Sequence, residues 1–451
     1  MRSRARRQLS LAPLALLAVS LPALGALGCS AGGGTPASTG TLVAATVTRD
    51  LAPSVPPANE AALVTGNTQF AFAMYHGISS ASGASSGTIG NFFYSPYSVS
   101  LALAMAYAGA HGDTASQIAT ALNFTLPEGS LNPAFDKLDL AIEKTPANAT
   151  GQDGQPFAVK VADSLWGEQT VDFDPTFVNA LAQSYGAGLR TVDFASNPNA
   201  AEQAINTWVA NETNDLINPL LAPNQVPSTT EFVIVNAVYF NAGWATAFQP
   251  SSTQKGPFTR ADGSVVQTPL MASYSGTATG YVAGPNYQAV ELPYSGNTTS
   301  MIVILPNASA YAAVEASLGD SLFADVTSSL SYNAPIDLVF PSFKIHGGSI
   351  SLVPELQALG MTDAFQPDAD FTSMIPAGKV YISDVVHQAF VDVDESGTEA
   401  AAATAIVGGA EVSSETQPIS VTVNRAFFFF IRDVATNTIL FVGRENDPTA
   451  T

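Results

Sequence analysis

Asp394-Glu395-Ser396-Gly397-Thr398-Glu399-Ala400-Ala401-Ala402-Ala403-Thr404-Ala405 admits two opposite readings, and the choice between them decides the fold. Taken alone, it is a helix: Ser396 and Glu399 make a capping box ahead of an alanine run, and alanine is the best helix former. Its neighbours point elsewhere, because residues 389–393 before it and 427–431 after it are short apolar runs of strand type. If the stretch is extended instead, successive side chains alternate between two faces. Thr398, Ala400, Ala402, Thr404 and Ile406 then share one face, and Glu399 lies on the other.

Outward from this stretch, the second half of the chain is dominated by strands, expected at 231–240, 289–292, 301–305, 336–340, 389–393, 427–431 and 439–442. The first half reads as helical. Phe70, Met74 and Ile78 fall on one face, and residues 98–107 form an apolar, Ala-rich run that ends in the glycine-rich break at 109–112. Helices first and strands later, without strict alternation, argue for an α+β fold. No repeat at a fixed period and no second low-complexity stretch divides the chain, so one domain is expected over 59–451.

The chain opens like an export signal. Arg2, Arg4, Arg6 and Arg7 precede an apolar run over 9–28 and small residues that lead into Cys29. A spanning helix of about 20 residues is the competing reading, but Pro13 and Pro22 interrupt the run. Cys29 is the only cysteine, which excludes an internal disulfide framework. Ala26-Leu27-Gly28-Cys29 resembles a bacterial lipoprotein box, although Ala26 stands where leucine is usual. Residues 1–28 are thus expected to be a signal peptide and Cys29 a lipidated N-terminus, since several acyl chains together give stable anchoring. Residues 29–58, rich in Ala, Gly, Thr, Ser, Val and Pro, read as a flexible tether, and the protein is expected outside the cytoplasm, membrane-anchored or secreted.

Of 451 residues, 46% are hydrophobic, enough to fill a sizeable core. Lys and Arg number 16 against 37 Asp and Glu, so the net charge of -21 repels a polyanion and no nucleic-acid partner is expected. The histidines, His76, His111, His346 and His387, are far apart and lack metal-site spacing, so neither a metal nor a cofactor is expected. Gly83-Ala84-Ser85-Ser86-Gly87 fits the pattern of a hydrolase nucleophile elbow, but it lies in a Ser/Gly-rich loop without the strand and helix that would raise Ser85.

A family resemblance begins at Asn91-Phe92-Phe93-Tyr94-Ser95-Pro96-Tyr97-Ser98 and continues through Asn206-Thr207-Trp208-Val209, Asn236-Ala237-Val238-Tyr239-Phe240, Gly243-Trp244 and Glu291-Leu292-Pro293-Tyr294. It ends at Phe427 to Ile431 and Ile439-Leu440-Phe441-Val442-Gly443-Arg444. In this order, over nearly the whole chain after the tether, these segments resemble the serpins, inhibitors of proteases. The resemblance implies three β-sheets with about nine helices, an exposed reactive-centre loop, and no catalytic residue of the chain's own.

It also settles the opening choice in favour of an extended hinge, comprising Glu395, Gly397, Thr398, Glu399, Ala400, Ala401, Ala402, Ala403 and Thr404. These small residues would let the loop enter the central sheet as an extra strand. Counting from Gly397, as the family does, the protease would cut Glu411–Val412, with Ala410–Glu411 and Val412–Ser413 as alternatives. Ser95, Ser98, Asn236 and His387 match a polar cluster beneath the sheet that must open, and Trp244 matches the breach at its top. Ser342 stands where most relatives have a lysine paired with the carboxylate matching Glu395, and Ala426 replaces a usual proline. A monomer that traps its target, a serine or alternatively a cysteine endopeptidase, as a covalent acyl complex is therefore expected. A non-inhibitory serpin-like carrier or storage protein, or an extracytoplasmic hydrolase, are the alternatives.

Overall fold

The computed structural model describes residues 39–86, 90–144, 149–151, 157–274, 276–398 and 417–450. The expected signal peptide, Cys29 and residues 399–416 lie outside them. Nine α-helices and three sheets occur among the described residues, as the α+β expectation requires. The helices that position the site are α1 (Pro57–Ser86), α2 (Pro96–Tyr107), α3 (Glu128–Glu143) and α4 (Pro175–Tyr185). The elbow-like Gly83–Ser86 segment is the last turn of α1, not a loop, so it has neither a strand before it nor a sharp turn to raise a nucleophile.

The central sheet has eight strands: β1 (Thr41–Leu42), β2 (Ala158–Glu168), β3 (Leu189–Val192), β4 (Phe232–Gly243), β5 (Phe343–His346), β6 (Ile350–Ser351), β7 (Asp384–Val393) and β8 (Gly397–Thr398). Their order is β1-β3-β2-β4-β8-β7-β5, with β6 paired to β7. A six-stranded sheet is built around Phe427–Asp433 and Ile439–Glu445, buried at every position, which is why both read as continuous apolar runs. A four-stranded sheet carries Ile336–Pro341 parallel to Ile419–Thr422. Helix α2 packs between the central sheet and Ile439–Glu445, and its residues from Pro96 to Ala106 are all buried.

The expected tether ends sooner than its composition suggests. Thr41 and Leu42 pair with Thr191 and Arg190 at the sheet edge, and the Val43 and Asp50 N–H groups donate to Leu189 and Gln183 carbonyls at 2.9 and 3.0 Å. Arg49 bonds Asp136 and Asp139 of α3 at 2.7 and 2.6 Å. Gly188 and Gly186 make room for it, because a Cβ there would sit 2.2 Å from Leu42 Cδ1 and 2.8 Å from Arg49 Cδ. Backbone hydrogen bonds at a sheet edge require no particular side chain, so a strand of this kind leaves little trace in composition.

Candidate functional site at the seam of the central sheet

Strands β4 and β7 run parallel and pair directly from Val233–Asp384 to Val238–Ala389. Beyond that point they part, and β8 lies between them, antiparallel to both: Thr398 pairs with Ala242 on one side and Val393 on the other, and Gly397 pairs with Gly243. A tight turn delivers β8 to this position. The Ser396 N–H donates to Asp394 Oδ1 at 2.7 Å, and the Asp394 N–H donates to the Gly397 carbonyl at 3.0 Å. Glycine at 397 is a steric requirement, since a Cβ there would lie 2.2 Å from the Ala242 carbonyl oxygen.

Trp244 holds the top of the seam. Its indole N–H donates to the Asp394 carbonyl at 3.0 Å, and its ring stacks on Tyr294 at 4.6 Å between centroids. Tyr294 in turn shares a hydrogen bond with the Thr398 hydroxyl at 2.8 Å, and Thr398 is only 1% exposed. Thr398 thus faces the core in this closed arrangement. The Glu395 carboxylate, without a lysine at 342, accepts instead from the Thr253 hydroxyl at 2.5 Å. Glu399, Ala400, Ala401, Ala402, Ala403 and Thr404 of the hinge, and the bond candidates Ala410, Glu411, Val412 and Ser413, fall outside the described residues.

Lower in the seam the four polar residues do meet. Asn236 on β4 and His387 on β7 are register partners, and their side chains bond across the seam. Ser95, whose hydroxyl caps α2, also donates that hydroxyl to the Leu440 carbonyl at 2.7 Å and its N–H to His387 Nε2 at 3.3 Å. The Ser95 bond makes Nε2 the acceptor, so Nδ1 carries the proton and donates to Asn236 Oδ1. Burial pushes the His387 pKa down to about 3, keeping the ring neutral, with a hydrogen bond to Asn236 opposing the shift.

One member escaped the sequence reading. The Asn236 amide donates to Ser98 Oγ and, at 2.6 Å, to Asp163 Oδ1 on β2; the Ser98 hydroxyl donates to the same oxygen at 2.9 Å. The side-chain donors of His387, Asn236 and Ser98 thus run toward Asp163. The available signal was an acidic residue within the strand-like Val161-Ala162-Asp163-Ser164-Leu165-Trp166 segment.

A family model described as serpin, serine protease inhibitor, matches residues 65–448. The chain belongs to the serpin family. The bovine leukocyte elastase inhibitor is 35% identical over 365 residues, covering 80% of this chain and 93% of its own. The human leukocyte elastase inhibitor is 33% identical, covering 86% of this chain and 99% of its own. The native structure of the thermophilic serpin tengpin superimposes with a TM-score of 0.74 at 27% identity, over 90% of this chain and 97% of its own. Uncleaved ovalbumin gives 0.75 at 26% identity, over 86% of this chain and the whole of its own. In this serpin the seam between β4 and β7 holds Gly397 and Thr398 at its upper end and the Asn236–His387 bond below.

Proposed function

We propose that this serpin inhibits serine proteases as a suicide substrate. The observation that carries the reading is β8: the first residues of the hinge already form a strand between β4 and β7, with Thr398 facing the core. The protease's serine oxygen attacks the carbonyl carbon of the bait bond. The peptide bond breaks, the leaving nitrogen takes a proton from the protease's own base, and an acyl ester remains. Insertion of the loop then drags the ester-linked protease away before water completes hydrolysis. From Gly397 to Glu411 an extended strand reaches about 45 Å, enough to carry the protease across the inhibitor. Strain release drives this step, and serpin loop insertion is itself the type example of that device.

The bait bond is Glu411–Val412, with Ala410–Glu411 and Val412–Ser413 as alternatives. A glutamate there suits a protease whose pocket offers a charged or multiply hydrogen-bonded partner. Cleavage after Ala410 or Val412 suits a small apolar pocket of the elastase kind, the activity for which the mammalian relatives are named. No Lys or Arg lies between Gly397 and Asn424, so trypsin-like proteases should be trapped poorly. The test is incubation with a protease panel and the mass of the C-terminal fragment released from a denaturant-stable complex. A fragment that begins at Val412 supports the choice; one that begins outside 410–414 overturns it, and trapping by no protease overturns inhibition.

The inhibitor acts as a monomer held outside the cytoplasm by lipid on Cys29. Replacing Cys29 with Ala is expected to release the protein into the soluble fraction, because the anchor then has no acyl chain. Membrane association that survives the change favours a spanning N-terminal helix; among the described residues no helix is long and apolar enough to span.

A further inference from the structure

We propose that Asp163 ties opening of the β4–β7 seam to pH: with its carboxyl protonated the seam stays closed, and with it ionised the seam yields. This rests on the loop-insertion reading of the seam given above. Three observations carry it. The first is that Oδ2 of Asp163 has no exposed surface and no hydrogen-bond partner, although the rest of the residue is only half-buried. The second is that among the described residues no cation forms an ion pair with Asp163. The nearby Arg49 is committed to Asp136, Asp139 and Glu143, and Arg190 lies over the Trp166 and Trp208 rings. A carboxylate oxygen with neither a donor nor a counter-charge beside it is costly, and more so than the same oxygen in a neutral carboxyl.

The third is position. Asp163 is one hydrogen bond from Asn236, and the side-chain bond between Asn236 and His387 crosses the seam that the loop must part. Parting the strands removes His387 from Asn236 and opens the enclosed side of the carboxyl, where Oδ2 lies, to water, so that it can ionise at lower cost. Burial, the largest influence, raises the Asp163 pKa well above its usual value; Ser98 and Asn236 lower it in part, and Asp139 raises it further.

The sign follows from linkage. The closed seam holds the proton more tightly than the open one, so closure is strongest at low pH. It is lost as pH rises from the ordinary carboxylate range through the raised value. Other groups face the same network. His387 on β7, with its lowered pKa, works in the opposite direction below about 6.5. Asp139 on α3 is also raised, by burial foremost, and is bonded to Arg49 and to the Tyr97 hydroxyl of α2. The cavity beside Asp163 is lined further by Glu143, Arg190 and Glu212.

The test compares wild type with Asp163→Asn, which keeps the acceptor oxygen for Ser98 and Asn236 but cannot ionise. Thermal midpoints from pH 4.5 to 8.5 are read without any protease, so failure here is separate from failure of the inhibitory reading. The variant is expected to gain on wild type steadily as pH rises, with the equilibrium difference growing by up to about tenfold per pH unit, the limit for one proton. A difference that does not change with pH assigns Asp163 a merely structural role and overturns the proposal. If the variant fails to fold, 13C-carboxyl titration of aspartate-labelled protein carrying both Asp136→Asn and Asp139→Asn, the other two aspartates with raised pKa, decides. One aspartate that keeps its proton above the ordinary range supports the proposal, and a full set of ordinary titrations overturns it.

Discussion

Thr398→Arg is expected to turn the inhibitor into a substrate: the loop is cut at the normal bond, and the protease departs active instead of remaining in a stable complex. Thr398 is the side chain that already faces the core between β4 and β7, bonded to the Tyr294 hydroxyl and 1% exposed. An arginine there places a long cation against Tyr294 and Trp244 with no carboxylate to receive it, since the nearby Glu395 points to Thr253. An unpaired buried charge costs several kcal/mol or more, and the side chain escapes that cost by leaving the seam. Insertion then loses its first step and hydrolysis wins the race. The measurement is the fraction of protease recovered in a denaturant-stable complex, expected to fall to near nothing while loop cleavage continues. An undiminished complex would mean that the buried facing of Thr398 has no part in insertion.

Nicking the loop between Thr404 and Ser414 is expected to raise the thermal midpoint substantially. Among the described residues, β4 and β7 take in two residues of β8, and below it they satisfy each other. Freed at one end, the segment after Thr398 can continue as a full strand between them. A strand of about ten residues adds hydrogen bonds on both sides at roughly 1 kcal/mol each, less those lost where β4 and β7 now pair directly, and in a chain of this size each kcal/mol moves the midpoint by at most about 2 °C. After the entropy cost of ordering the segment, a rise of about 10 °C is a reasonable scale. An unchanged or lower midpoint in the nicked protein would count against insertion as the source of inhibition.

The parts of this fold that were legible in the sequence are those whose cause is local. Ile439-Leu440-Phe441-Val442 reads as a strand because both of its faces are buried, and residues 98–107 read as a buried helix for the same reason; the observed α2 begins two residues earlier, where Pro96 follows the Ser95 cap. The seam was not local. Asn236 and His387 lie 151 residues apart and are register partners only because a parallel crossover brings β7 beside β4, so composition and periodicity could not join them. Family resemblance supplied the four polar residues, and the geometry adds how they are bonded. It missed Asp163 because a single carboxyl in a strand looks the same whether it faces solvent or closes a network. The docking of Thr41 and Leu42 on β3 was hidden for a different reason: its bonds are made by backbone, and the glycines that admit it, Gly186 and Gly188, lie far away in the chain.

The two-residue strand β8 also fixes an addressing rule for the rest of the loop. Thr398 is matched to Ala242 on one side and to Val393 on the other. Were the strand to continue in this register, six positions along it the addresses would coincide: Thr404 would fall opposite Asn236 on β4 and opposite His387 on β7, the very pair whose side chains clasp the closed seam. By parity its hydroxyl would point inward, a donor and acceptor delivered to the place where one donor and one acceptor have just been separated. On insertion the chain would then bring its own replacement for the bond between Asn236 and His387. A single residue inserted or removed between Thr398 and Thr404 would send the wrong side chain to that address and turn every later one to the other face.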